Sequence, residues 1–329
     1  MPEQEAGAAA VSHDQKQKPS PSSTSCLKTL LESLKIFPRN KQVFFSIFAL
    51  LALPLSFLLF SLSVLSYPIK SQILSLESLA ALSRTRFEAR HVWKESRDGA
   101  LFLLRLKLLC FLPTYVFSLL AAITSVVSAV SVHEGRPLTL KAAFSAVRST
   151  WSRPFATSIF IYFVLFLYSG VPLTLDAIVG SRTSPVLRLL VWFIEAGVEI
   201  YIMAVLGMGL VVSIVERRVG WDAVRVGSDL MEGRRVCGWL LSGMMSAAMG
   251  WIGWNMEETV RDGGDSSRSW KWTAVMVAEE GWTSFGLVAL YGAMVVWGFV
   301  VTAVFYCHCR ERHVVREDDV EGENINCVS

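Results

Sequence analysis

Three carboxylates inside long apolar segments are the side chains whose type and spacing could do chemistry. Glu195 and Glu199 lie four residues apart, hence on one face of a helix, and Asp176 lies near the end of the preceding apolar segment. An acidic residue at the centre of a membrane helix costs about 2.5–3.5 kcal/mol, so such residues usually face other helices or water. The three carboxylates therefore predict an intramembrane polar site for protons, cations or a basic headgroup. The structural alternative is that Glu195 reaches Arg182 or Arg188 while Glu199 makes one interhelical hydrogen bond.

Four arginines after the fourth apolar segment form a second candidate site. Arg217 and Arg218 precede a short amphipathic stretch, and Arg234 and Arg235 follow it. Basic residues beside a membrane helix are attracted to anionic lipids. We therefore predict that these arginines bind membrane lipids or a protein partner. The small net charge of +3, with basic residues placed between apolar runs, gives no support to nucleic-acid binding.

Cysteines and histidines after the last apolar segment superficially suggest a metal site. Cys307 and Cys309 flank His308, and His313 follows. Their position beside the membrane favours S-palmitoylation of the two cysteines, or unmodified thiols, over a metal site. The six cysteines are scattered along the chain and resemble neither a disulfide framework nor a zinc site. Because the sequence also lacks nucleotide-binding loops and catalytic motifs, we predict no cofactor, no metal and no enzymatic activity.

Long apolar segments must position these side chains. Hydrophobic residues make up 53% of the chain, charged residues only 18%, and the mean hydropathy is +0.45. Apolar runs of about 20 residues are typical of helices that cross a bilayer. The sequence therefore predicts an all-α, polytopic membrane helical bundle, with helices near residues 43–66, 108–130, 155–179, 189–212, 237–254 and 285–306.

The distribution of basic residues predicts the orientation of these helices. With six crossings, the basic residues before the first helix, in the second and fourth loops and after the last helix all fall on one side. The positive-inside rule then predicts that both termini are cytosolic. The first loop is also basic but falls on the opposite side. Because Arg86, Arg90, Lys94 and Arg97 recur in it at helical spacing, we interpret it as an amphipathic helix on the membrane surface.

Prolines inside the first two apolar segments leave a second topology open. Pro54 divides the first segment into halves that are too short to cross alone. It therefore predicts either a kinked helix, which we prefer, or a re-entrant hairpin. If the second segment, which contains Pro113, also re-entered, only four helices would cross and all the basic loops would be cytosolic.

A short repeat indicates a duplicated helical hairpin. Residues 130–134 match residues 212–216, with Val, Ser and Glu in the same places. The same offset superposes the second and third predicted helices on the fourth and fifth. An even number of crossings separates the two copies, so the repeat predicts that they have parallel orientations.

A family resemblance rests on motifs in the connector and near the N-terminus: Val-Val-Ser-Ile-Val-Glu at 211–216, Gly220, Ala223, Ser-Asp-Leu at 228–230, Gly-Arg-Arg at 233–235, Leu-Lys-Ile-Phe-Pro-Arg-Asn at 34–40 and Leu-Pro-Leu-Ser at 53–56. The pattern resembles a plant family of six-pass membrane proteins of uncharacterised function. More distantly, the connector resembles the membrane domain attached to some bacterial glycerophosphoryl diester phosphodiesterases. Because this chain has no room for their separate catalytic barrel, the resemblance implies a membrane module without phosphodiesterase activity.

The remaining segments complete the predicted organisation. Residues 1–26 are polar and predict a disordered tail, residues 27–310 form the membrane domain, and residues 311–329 form an acidic tail. We expect a non-catalytic scaffold, or a protein that binds partners or lipids, in the endoplasmic reticulum, another endomembrane or the plasma membrane. The alternative is a transporter or channel that uses the intramembrane carboxylates.

Overall fold

The computed structural model describes residues 22–82, 86–136, 138–179, 184–264 and 281–328. Within these ranges the regular secondary structure is helical. Its elements in chain order are α1 (Ser22–Arg39), α2 (Lys41–Ile47), a π-helical turn (Phe48–Ala52), α3 (Leu53–Leu82), α4 (Arg86–His133), α5 (Leu140–Thr150), α6 (Ser152–Val179), α7 (Pro185–Val215), α8 (Trp221–Leu230), α9 (Arg235–Gly264) and α10 (Gly281–Val328).

Six of the described helical segments are long and apolar enough to cross a membrane: Lys41–Leu76, Trp93–His133, Ser152–Leu175, Pro185–Val215, Arg235–Arg261 and Ser284–Val314. This confirms the predicted all-α membrane bundle, and the chain is a multi-pass membrane protein. Large apolar side chains on the outer helices are exposed, such as Phe166 on α6 and Trp192 on α7. This is the pattern of a bundle whose solvent is lipid rather than water.

The first apolar segment is a continuous helical path and not a hairpin. The π-helical turn ends at Ala52, two residues before Pro54, and joins α2 to α3 without a break. Proline removes one backbone donor and crowds the preceding turn, and a π-turn is one way in which a helix absorbs such a local mismatch. Pro113 likewise lies inside α4. Neither of the two re-entrant hairpins left open by the sequence is therefore formed.

The described residues of the basic first loop belong to the long helices α3 and α4. The prediction of a separate surface helix in this loop is therefore wrong. Arg86, Arg90, Lys94 and Arg97 all belong to α4, which has 48 residues and is therefore about 72 Å long. A bilayer core is only about 30 Å thick, so the α3–α4 hairpin is long enough to extend beyond it. Propagating an existing helix is easier than nucleating a separate one, which favours this extension. Residues 83–85, between α3 and α4 in the sequence, lie outside the described residues.

Both terminal segments contain more helix than the sequence predicts. α1 begins at Ser22, and the buried Cys26 lies within the segment predicted to be a disordered tail. Residues 1–21 lie outside the described residues. At the other terminus, α10 continues through Val328 and includes most of the predicted acidic tail. The helical hydrogen bonds of a long membrane helix can propagate into a polar segment at little cost per residue.

The core is concentrated at one end of the bundle, which we call the connector end because it holds α1, α5 and α8. The C-terminal ends of α4 and α7 meet the middle of α10 there, and buried side chains include Val132, Val212 and Tyr306. Asn40, after α1, donates a hydrogen bond of 3.0 Å to the carbonyl of Leu138 before α5. The N-terminal helix is thus part of the core and not an appendage.

The repeated motif marks two segments with the same order of elements. Residues 130–134 end α4 and precede the short helix α5, and residues 212–216 end α7 and precede the short helix α8. Long helices, α6 and α9, follow in each case. Val132 and Ile214, which occupy the same place in the two copies, are both buried at the connector end. The repeat therefore corresponds to a unit of long helix, short connector helix and long helix.

Candidate functional site

Backbone contact fixes α8 against α7 at the connector end. A Cβ atom added at Gly227 would lie 2.9 Å from the backbone nitrogen of Gly209, and one added at Gly209 would lie 2.9 Å from the Cα of Val224. Only glycine permits such a close approach of two helices. Ala223 and Val224 are buried on the same face of α8. The connector helix is therefore a rigid platform.

Gly220 fixes the point at which α8 begins. Its φ of 59° and ψ of −127° lie in a region that residues with a side chain avoid, so glycine is needed there. The Gly220 N–H donates a 2.9 Å hydrogen bond to Oγ1 of Thr157, a buried residue on α6. The rings of Trp221 and Phe160 add an edge-to-face contact. Together these contacts tie the start of α8 to α6.

Three of the four predicted arginines are exposed around this platform. Arg217 and Arg218 precede α8, and Arg235 follows it, whereas Arg234 is half-buried. The Arg218 guanidinium lies 2.9 Å from the Asp222 carboxylate, and both side chains are about half exposed. Exposed pairs of this kind contribute about 0–1 kcal/mol, so the pair leaves Arg218 available to a competing anion. Arg234 is therefore less accessible to a ligand than the other three arginines.

A buried tyrosine links the platform to α10. The hydroxyl of Tyr306 donates a 2.7 Å hydrogen bond to Oε1 of Glu216, which directly follows α7. Arg310 donates to the same hydroxyl at 3.3 Å. Glu216 occupies the same place in the second copy of the repeat as Glu134 in the first. The repeat therefore indicated that a glutamate is needed at this position. Sequence reasoning missed its partner because Tyr306 lies 90 residues away.

Two histidine–carboxylate pairs link α1 and α4 to α10 at the connector end. His308 on α10 lies 2.9 Å from Glu32 on α1, and its Nδ1 lies 3.2 Å from Oγ1 of Thr29. His133 at the end of α4 lies 3.1 Å from Glu311 on α10. The two imidazole rings are 5.9 Å apart. Nothing in the local sequence indicates these long-range contacts, which hold α1 and α4 against α10.

The cysteines depart from the sequence-based prediction. Cys26 on α1 and Cys237 on α9 form a disulfide across 211 residues, although the scattered cysteines predicted no disulfide framework. Such a separation hides the pairing from any inspection of spacing. Cys307 and Cys309 are free thiols but buried, which argues against palmitoylation at these positions. Among the described residues, no group of three His, Cys, Asp or Glu side chains could hold a metal ion.

The intramembrane carboxylates that the structure describes, Glu195 and Glu199, differ in their surroundings. Because α7 begins at Pro185, Glu195 and Glu199 lie about 15 and 21 Å along it. Glu195 is half-buried, and its buried Oε1 has no hydrogen-bond partner among the described residues. Its backbone carbonyl accepts a 3.0 Å hydrogen bond from the hydroxyl of Tyr168 on α6. Glu199 is exposed, and the side chain of Asp176 lies outside the described residues.

One of the two arginines predicted to pair with Glu195 does not do so. Glu195 forms no ion pair with Arg188, which is exposed. Arg182, the other predicted partner, lies outside the described residues. Glu195 is therefore the one of the three carboxylates for which the described structure shows an unsatisfied buried oxygen.

The sequence pattern of a family described as "Domain of unknown function (DUF8558)" matches residues 22–321. The chain belongs to this family. No curated protein and no solved structure matches it. The DUF8558 match begins at the first residue of α1 and ends within α10, so it includes both candidate sites. It leaves the resemblances to plant six-pass proteins and to the diesterase membrane domain as predictions.

Proposed function

We propose that this chain is a non-catalytic multi-pass membrane protein that binds acidic groups through Arg217, Arg218 and Arg235. The acidic groups belong to a protein partner or to anionic lipids. One observation carries the proposal. The three arginines are exposed before and after α8 in the chain, and the backbone of α8 packs directly against α7. A rigid support reduces the entropy lost when exposed side chains bind.

The chemistry of the platform supports recognition of acidic groups. A guanidinium presents a planar fork that matches a carboxylate or a phosphate through two parallel hydrogen bonds. Trp221, 66% exposed beside the arginines, has the amphipathic ring that is enriched at the membrane–water interface. The only ion pair of these arginines within the described residues is the exposed one between Arg218 and Asp222.

The proposal includes the orientation that the basic residues favour. The connector end lies in the cytosol, and the chain resides in an endomembrane or in the plasma membrane. The measurement is labelling with an impermeant thiol reagent of a cysteine introduced at the exposed Ser145 on α5. We expect labelling only after the membrane is permeabilised. Labelling of Ser145→Cys from outside intact cells, in a chain that reaches the plasma membrane, would show that the orientation is the opposite of the one proposed.

Replacing the three exposed arginines around the platform by neutral residues is the direct test of binding. We expect the triple variant Arg217→Gln, Arg218→Gln, Arg235→Gln to bind a soluble short-chain phosphatidylserine or a polyglutamate peptide at least about tenfold more weakly, because each such charge contributes about 1 kcal/mol near an anionic surface. Calorimetry on the full chain in detergent gives both affinities. Loss for the lipid alone identifies a lipid site, and loss for the peptide alone identifies a protein site.

A matched triple variant supplies the control. Arg97, Arg105 and Lys107 on α4 are exposed and lie toward the hairpin end of the bundle. Their replacement by glutamine removes the same charge but leaves the platform intact. We expect affinities within about twofold of the unmodified chain. Equal losses in both triples would show that net charge, and not the platform, governs binding, and the proposal would fail.

A transporter or channel is the second candidate, and the buried Oε1 of Glu195 favours it. A carboxylate oxygen without a hydrogen-bond partner inside a membrane protein is costly, and such groups often mark a path for protons or cations. We expect Glu195→Gln to abolish proton or cation flux into vesicles reconstituted with the full chain, if that function exists. Glu258→Gln, at an exposed position on α9, is the control. Flux that is unchanged by Glu195→Gln would eliminate this candidate.

A further inference from the structure

Helix α1 has a buried face that attaches it to the rest of the bundle. Cys26, Thr29, Ser33 and Ile36 are buried and follow one another at helical spacing. Cys26 is bonded to Cys237, and the Oγ of Ser33 accepts a 3.0 Å hydrogen bond from the indole of Trp297. The half-buried Glu32 pairs with His308. α1 is therefore fixed against α9 and α10 along this face.

The opposite side of α1 carries an apolar stripe that the bundle does not cover. Leu27, Leu31 and Leu34 are 62%, 52% and 48% exposed. They recur at spacings of four and three residues, which place them on one face of a helix. Three leucines in register on one exposed face form a continuous apolar strip that would be unfavourable in water.

A separate basic stripe runs beside the leucines. Lys28, Lys35 and Arg39 are exposed. Successive helical residues are about 100° apart, which centres the basic stripe about 90° from the leucine stripe and roughly a third of a turn from the buried face. Glu32 is the one acidic residue of α1 and lies 2.9 Å from His308, between the basic stripe and the buried face, so three basic side chains outnumber one carboxylate on this helix. α1 therefore has three distinct faces: buried, apolar and basic.

The contacts of the buried face place α1 at the level where helices enter the membrane. Cys237 is the third residue of the membrane-spanning segment Arg235–Arg261. His308, which contacts Thr29 and Glu32, lies near the C-terminal end of the spanning segment Ser284–Val314, whereas Trp297 lies near its middle. α1 itself ends at Arg39, just before the spanning segment Lys41–Leu76 begins. The ends of three spanning segments therefore lie beside α1, which is the level of the boundary between headgroups and acyl chains. Its exposed leucines are then at the depth of the acyl chains.

We propose that α1 is an interfacial helix that binds the leaflet at the connector end. Leu27, Leu31 and Leu34 enter the outer part of the acyl-chain layer, and the basic stripe binds the phosphates of anionic lipids. Helices with an apolar face and a Lys- and Arg-rich polar face lie in the membrane plane in this way. The long basic side chains can extend along the helix to reach the headgroups. This surface is separate from the arginines around α8, so it goes beyond the proposed function and can fail independently of it.

Spin-label accessibility tests the position of the leucine stripe. The full chain retains Cys26 and Cys237, carries alanine in place of the other four cysteines, and receives a nitroxide at Leu31→Cys. The chain is reconstituted in vesicles of phosphatidylcholine and phosphatidylserine. We expect more frequent collisions with oxygen and less frequent collisions with a water-soluble nickel chelate than for a label at Glu232→Cys, an exposed position between α8 and α9.

Two results would overturn the proposal. Nickel accessibility at position 31 equal to that at position 232 would show that the leucines face water. Protection from both oxygen and nickel would show that a protein surface, such as a second copy of this chain, covers them.

A charge variant tests the anionic part of the proposal. Replacing Lys28, Lys35 and Arg39 by glutamine is expected to reduce the phosphatidylserine retained by the full chain about tenfold relative to phosphatidylcholine, measured by native mass spectrometry. The label at position 31 reports in the same variant whether α1 is still docked. Unchanged lipid selectivity with α1 docked would contradict binding of anionic headgroups. Because the α8 arginines are intact in this variant, the result is independent of the proposed function.

Discussion

Gly209→Ala is expected to destabilise the full chain by about 1–3 kcal/mol, because overpacking at a close helix contact forces the backbones apart. The added Cβ would lie 2.8 Å from Cγ2 and 2.9 Å from Cα of Val224. A backbone atom cannot move aside as a flexible side chain can. Unfolding of the purified chain by a denaturing detergent measures the loss. Gly227→Ala, which inserts a Cβ at the same crossing from α8, is expected to behave alike.

Gly207→Ala is the matched control on the same helix. A Cβ added at Gly207 meets nothing within 4 Å. Alanine favours a helix over glycine by up to about 1 kcal/mol, so this variant is expected to be neutral or slightly stabilising. If Gly207→Ala and Gly209→Ala had the same stability, α8 would not be docked through this crossing. α8 would then not be a rigid support for the arginines.

Reduction of the Cys26–Cys237 disulfide is expected to lower the stability of the purified chain by about 2–4 kcal/mol. The bond closes a segment of 211 residues, so it restricts the unfolded chain strongly. The measurement compares unfolding of the unmodified chain with and without a phosphine reductant. The double variant Cys26→Ala, Cys237→Ala is the control, because the reductant should have no effect on it.

The same bond makes a second prediction about chemical access. Both cysteines are buried, so a soluble alkylating reagent should modify neither of them in the folded chain. Disulfides are rare in the reducing cytosol, where we place the connector end, and burial is the feature that would shield this one from reductant. Alkylation of both cysteines in freshly purified, unfolded and unreduced chain would show that the bond is not formed. In that case the reductant would leave stability unchanged.

Much of the architecture could be predicted from the sequence because each membrane helix carries its own signal. An apolar run of sufficient length predicts a span regardless of what surrounds it, and the six segments were found in this way. The ends were less predictable. α4 and α10 extend well beyond their apolar parts, since a helix continues as long as each added residue gains its hydrogen bond.

The candidate site was predictable only where it is local in sequence. The arginines flank a short amphipathic stretch, and this local pattern predicted the connector helix and its exposed charges. The partners of Glu216, Glu32 and Cys26 lie 90 or more residues away, and no periodicity reports them. The half-burial of Arg234 is likewise a tertiary effect. Residue type and spacing therefore identified candidates, and packing decided which of them are available.

The attachment of α1 imposes an order on biosynthesis. All three partners of its buried face named above, Cys237, Trp297 and His308, lie more than 200 residues downstream. At about 5–20 residues per second, a ribosome needs roughly 10–40 s to make the 211 residues between the two bonded cysteines. During that interval α1 is already synthesised, but the two helices that it contacts most, α9 and α10, are not. A helix with an apolar stripe and a basic stripe can bind the bilayer surface through those stripes, which would hold α1 beside the growing bundle, with its other face free to dock, until the fifth and sixth spans are made.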